Sequence, residues 1–140
     1  MRVPLQISKR RQQQKGSAMI EGALTLVVFF VVLMGIMDFG RMVWAYTLIA
    51  HGTREATRYA IVHGTSSGYT ASIDEIKGIV TSRVVGLDAA DITTTVTFNP
   101  NQSAGSTAKV VSTYTFRPIA PYIPVGPISL RSTSQMVINQ

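Results

Sequence analysis

The stretch KGSAMIEGALTLVVFFVVLMGIMDFGR, residues 15–41, decides the architecture. Residues 18–37 carry one charge, Glu21. As an α-helix this run of twenty residues rises about 30 Å, the thickness of a bilayer hydrocarbon core. A chain in lipid must satisfy its backbone polar groups internally, so the run is expected to be a membrane-spanning helix.

The flanks orient it. Arg2, Lys9, Arg10, Arg11 and Lys15 all precede Gly16, and the first charges on the far side are Asp38 and Arg41. Such an asymmetry of Lys and Arg predicts a cytoplasmic N-terminus and an extracytoplasmic C-terminal region. A secretory signal peptide has a shorter apolar run and a small-x-small cleavage site after it, whereas Asp-Phe-Gly-Arg follows here. Arg10-Arg11 is followed by glutamines where a twin-arginine signal has apolar residues.

The chain has 140 residues and 46% apolar content, which fits one membrane segment and one small domain. No cysteine is present, which excludes disulfides and Cys-ligated metal. The formal charge of +6 is concentrated in the first fifteen residues; beyond Gly16, eight Lys or Arg stand against seven Asp or Glu. The basicity is a topology signal, and no nucleic-acid partner is expected.

Within lipid, Glu21 costs about 2.5 kcal/mol or more unless it lies near the interface or finds a partner. Its setting is Lys15-Gly16-Ser17-Ala18-Met19-Ile20-Glu21. This spacing resembles the leader of a type IV prepilin. The resemblance implies cleavage by a prepilin peptidase between Gly16 and Ser17, with Glu21 as the fifth residue of the mature chain, compensating the new amine of a neighbouring subunit during assembly. The chemistry is reasonable, because a carboxylate offsets the burial of the Ser17 ammonium in a helix bundle. Gly16 is expected to offer the protease an extended, unhindered backbone.

Further along, Gly35-Ile36-Met37-Asp38-Phe39-Gly40-Arg41 and Ala56-Thr57-Arg58-Tyr59-Ala60 follow in order. Together with the leader they resemble the TadE family of minor pilins, associated with tight-adherence (Tad, or Flp) pili, over about residues 16–60. Asp38, Gly40, Arg41, Arg58 and Tyr59 carry that resemblance. Gly22 departs from it, since many pilins have a bulky apolar residue after the Glu, and Asp38 stands where a Glu is common. The resemblance implies a single-pass protein of the bacterial cytoplasmic (inner) membrane that assembles into or at the tip of an adhesive pilus. Its implied partners are the prepilin peptidase, other pilins, the inner-membrane assembly platform and the lipid bilayer.

No proline occurs between Pro4 and Pro100, so helix is expected to persist to about Val62, with His63-Gly64 as its stop. Trp44 and Tyr46 read as an interfacial aromatic belt, and Glu55 as an ion-pair partner of His51 or Arg58 on one helix face. Ser72-Ile73-Asp74-Glu75 has the capping-box pattern and opens a second helix ending near Gly86, with Ile73, Ile76, Val80 and Val84 as its apolar stripe.

Three strand-like runs follow. Ile92, Thr94, Val96 and Phe98 alternate with threonines; Ala108, Val110, Ser112, Tyr114 and Phe116 form one face; Ile128, Leu130, Met136 and Val137-Ile138 carry the third. Residues 99–106 fit a hairpin loop. Pro118, Pro121, Pro124 and Pro127 interrupt the last two strands and are read as a structural loop. The expected fold class is α+β: a cleaved leader (1–16), a transmembrane and stalk helix (17–62), and an extracytoplasmic head (63–140) with a short helix and a small antiparallel sheet of about three strands.

No constellation points to an enzyme or a cofactor. The two histidines, His51 and His63, make no metal motif, and there is no Gly-rich phosphate loop or nucleophile elbow. Two alternatives to a Tad minor pilin stay open: a membrane-anchored binding module that never enters a filament, and a secretion-system pseudopilin.

Overall fold

The computed structural model describes residues 7–119 and 126–139, with side chains from residue 16 onward. The side chains of Lys9, Arg10, Arg11 and Lys15, and Pro121 and Pro124 of the proline series, lie outside the described residues. The element order is α1 (Ile7–Val62), α2 (Ile73–Arg83), a short 3-10 turn (Ala89–Asp91), β1 (Ile92–Asn99), β2 (Thr107–Phe116) and β3 (Ile128–Val137). The class is α+β, as expected.

Helix α1 has two environments. From Gly16 to Met34 every residue is exposed, so the apolar half has no partner among the described residues. Above it Asp38, Ala45, Ile49, Gly52, Thr53, Ala56, Thr57 and Ala60 are buried, a three- and four-residue spacing that puts them on one face. Most are small, which lets the head approach closely. A Cβ added at Gly52 would lie 3.3 Å from both the Val80 carbonyl oxygen and Val84 Cγ2 of α2. The two buried hydroxyls are satisfied along the helix, Thr53 Oγ1 donating to Ile49 O at 2.7 Å and Thr57 Oγ1 to Thr53 O at 2.8 Å.

The helix stops where the sequence signals. His63 N donates to Tyr59 O at 3.1 Å, and at Gly64 a Cβ would meet Gln102 O at 2.9 Å and Ile138 Cγ2 at 3.1 Å. Glycine is required there by the close passage of the β1–β2 loop.

Helix α2 is opened by a complete capping box: Glu75 N donates to Ser72 Oγ at 3.2 Å and Ser72 N to Glu75 Oε2 at 3.0 Å. Ile76, Val80 and Val84 are buried, but Ile73 is 45% exposed. It lies in the first turn, outside the contact with α1 and the sheet. The helix ends at Arg83, three residues before Gly86, whose φ is +89°.

The sheet is an antiparallel meander in the order β1-β2-β3. Val96 pairs with Val110 and Val110 with Ser134; Phe98 pairs with Ala108 and Ala108 with Met136. This register puts the apolar alternation of all three strands on one face, against α1 and α2. Ile49, Ile76, Val80, Val110 and Ile138 are fully buried at the centre, and each contributes roughly 1.5–3 kcal/mol by removal from water. At the end of the third strand the apolar weight divides: Ile138, just past β3, is buried and Val137, its last residue, is 50% exposed on the outer face.

Candidate membrane and assembly site

The expected cleavage position is helical. Helix α1 begins at Ile7 and runs through Gly16 and Ser17, both exposed, so the expected extended backbone at Gly16 is not found. The residues before Gly16, rich in Gln, Lys and Arg, are good helix formers and carry the helix backwards across it. Glu21 lies one turn past Ser17, about 6 Å along the axis, and is exposed. Its carbonyl accepts Thr25 Oγ1 at 2.9 Å, and no salt bridge to its carboxylate is found among the described residues. A helix beginning at Ser17 would hold this carboxylate at the end of its first turn, where it offsets both the ammonium and the positive end of the helix dipole.

The five residues carrying the downstream motifs separate into two places. Arg41 Nη1 donates to Asp38 Oδ1 at 2.7 Å, and the backbone N–H of Ile119 donates to Asp38 Oδ2 at 2.9 Å. The Arg41 guanidinium carbon lies 5.3 Å from the centre of the Phe116 ring, within cation–π range. Asp38 and Arg41 therefore clasp the end of β2 onto the stalk where the apolar run finishes. Gly40 is exposed with open space where a Cβ would stand, so no close approach explains it.

About 30 Å along the helix, Arg58 is exposed while its neighbour Tyr59 packs partly buried against the core. The Tyr59 ring is 4.1 Å from that of His63, whose Nδ1 lies 3.1 Å from Tyr59 O. Glu55 pairs with neither His51 nor Arg58; its Oε1 is 3.5 Å from Arg83 Nη2 of α2. Packing of α2 against α1 brings Arg83 close, and this cross-helix partner replaces the expected helical pair.

Trp44 and Tyr46 are each about half-exposed. The Trp44 ring also touches the head, since a Cβ at Gly86 would lie 3.0 Å from its Cη2. Arg117 Nη2 donates to Asp91 Oδ1 at 2.8 Å, closing the start of β1 onto the end of β2. Phe116, Ile119, Arg83 and Gly86 were not identifiable as partners of the stalk from sequence. The only signal was the placement of Phe116 on the inward face of its strand.

Residues 16–58 match the family model of the TadE-like proteins. This stretch of the chain is TadE-like. No curated protein and no solved structure matches the chain. The TadE-like segment holds Glu21, the whole apolar run, the Asp38–Arg41 pair and Arg58, and it lies on α1, whose stretch Gly16–Val62 is long and apolar enough to cross a membrane. Among the described residues no three His, Asp or Glu side chains gather as a metal site.

Proposed function

We propose that this protein is a minor pilin of a Tad-type pilus, inserted in the bacterial inner membrane with its N-terminus cytoplasmic and its head outside. A prepilin peptidase releases it between Gly16 and Ser17, and it then assembles with other pilins on the inner-membrane platform. The reading is supported most by α1, exposed on every side from Gly16 to Met34 and buried along one face above that. The apolar half needs a cover that the described residues do not supply, and the two environments a pilin occupies in turn, lipid and the helices of neighbouring subunits, both provide one.

The experiment is N-terminal sequencing of the protein purified from cells with and without an active prepilin peptidase. Removal of the first 16 of 140 residues leaves 124 beginning at Ser17. A retained leader in cells with the active peptidase rejects the proposal and favours the simple anchor. A reporter enzyme active only outside the cytoplasm, fused after Gln140, tests the orientation; activity of a cytoplasmic reporter there instead rejects it.

A further inference from the structure

Two loops of the head reach the stalk beside the end of the apolar run. One leaves β2, where Ile119 N is held 2.9 Å from Asp38 Oδ2. The other follows α2, where Gly86 lies against Trp44. If residues 18–37 fill the hydrocarbon core, Asp38 stands at its border, and the headgroup zone reaches about 5–7 Å further. At about 1.5 Å per residue that zone covers roughly four residues of helix, to about Met42. Ile119, tied to Asp38, lies inside it. Trp44 is about 9 Å beyond Asp38 by the same rise, with its side chain leaning back towards the N-terminus as helical side chains do.

Each of these two loops carries a strongly exposed large apolar side chain. Among the described residues beyond Val62, Val85 is 74% exposed and Ile119 is 63% exposed. Phe39 on the stalk is 62% exposed at the same level. Single exposed apolar residues are ordinary on soluble surfaces; here the two most exposed among the described residues of the head fall in the two loops nearest the membrane border. Arg41 sits among them, its side chain 45% exposed, near the depth at which lipid phosphates lie.

We propose that the base of the head is a lipid-contacting surface, with Ile119 entering the headgroup region of the outer leaflet beside Phe39, and Val85 and Trp44 at the outer edge of that region. The Asp38–Ile119 hydrogen bond sets the depth of the first loop, and the Gly86–Trp44 contact that of the second. Held at three points, the stalk and two loops, the head stands in a fixed orientation on the bilayer before assembly. This inference rests on the reading of residues 18–37 as the membrane span.

The absence of cysteine permits single-site labelling of the full chain. Ile119→Cys, Leu26→Cys and Thr133→Cys variants each carry an environment-sensitive fluorophore in phosphatidylcholine nanodiscs, with nitroxide lipids as quenchers. The label at position 119 should lose emission to headgroup nitroxides about as strongly as the label at position 26 loses it to mid-chain nitroxides. The label at position 133, on the outer face of the sheet, should lose little. Quenching at 119 no greater than at 133, with position 26 quenched, overturns the lipid-contacting surface and leaves the span intact. No quenching at position 26 overturns the span itself and this inference with it.

Discussion

Asp38 Oδ2 accepts the backbone N–H of Ile119 at 2.9 Å across 81 positions of sequence, while Oδ1 accepts Arg41 Nη1 at 2.7 Å. One carboxylate, on a side chain 11% exposed, thus receives a neutral donor from the head and a charged donor from its own helix. Asp38→Ala leaves the Ile119 N–H and the guanidinium without that acceptor, and because both bonds are only part-buried, water can partly replace it, so the loss is about 0.5–1.5 kcal/mol. Thermal unfolding of the head in detergent should show a lowered midpoint, and the end of β2 should be cut faster by added protease. Asp38→Asn keeps an acceptor for Ile119 and should lose less. Equal stability of Asp38→Ala and the parent would remove the clasp from the account.

Gly86 has a φ of +89°, and a Cβ there would lie 3.0 Å from the Trp44 ring. Gly86→Ala therefore meets both a backbone conformation that L-residues disfavour and a ring in its way, and should destabilise the head by about 1–2 kcal/mol. Trp44 is the chain's only tryptophan, so its emission reports the contact directly. The variant should show altered Trp44 emission before heating and a lower unfolding midpoint. Unchanged emission would mean that the ring does not depend on this loop.

The elements of this fold were legible because each has a local cause. The apolar run, the absence of proline, the capping box at Ser72 and the alternation of Ile92, Thr94, Val96 and Phe98 are all contained in short windows. Contacts between elements were not legible. Glu55 has basic or titratable neighbours at His51 and Arg58, and only the packing of α2 on α1 brings Arg83 to it. Gly52 and Gly64 look alike as helical punctuation, yet one admits α2 and the other the β1–β2 loop. The Asp38–Arg41 pair was visible as a motif, but its role in holding Ile119 depends on where β2 ends. Ile73 shows the limit of periodicity: it is in phase with Ile76 and Val80 but one turn too early to meet a partner.

The Tyr69 hydroxyl donates to Glu75, and this bond, followed by the Ser72 backbone N–H, holds the Glu75 carboxyl below its ordinary range. The same bond pushes the Tyr69 phenol up, so it remains a donor through neutral pH. Because the folded-state pKa of Glu75 is depressed, its stabilisation is present above the unfolded carboxylate value and is lost as pH falls through the folded one. Unfolding midpoints measured down through the acidic range should fall, and Glu75→Gln should flatten part of that fall while lowering stability at neutral pH. A Glu75→Gln variant with the parent's pH profile would show that other carboxylates carry the acid response.

Glu21 is exposed on a stretch of helix that nothing among the described residues covers, in a run otherwise free of charge. Removing a carboxylate from such a segment eases insertion, since it costs about 2.5 kcal/mol or more near the bilayer centre. Glu21→Ala should therefore still reach the membrane and be processed at Gly16–Ser17. The loss is expected in assembly, where helices of several subunits pack together and the Ser17 ammonium of one has no carboxylate from its neighbour. A well-buried pair broken on one side costs about 3 kcal/mol or more, and much less if water reaches it. Pull-down of partner pilins and incorporation into sheared pili should both fall for Glu21→Ala. Glu21→Asp should restore part of the assembly and Glu21→Gln little, because charge rather than shape offsets the ammonium. Normal incorporation of both the Ala and Gln variants would reject this role for Glu21 and return the helix to a simple anchor.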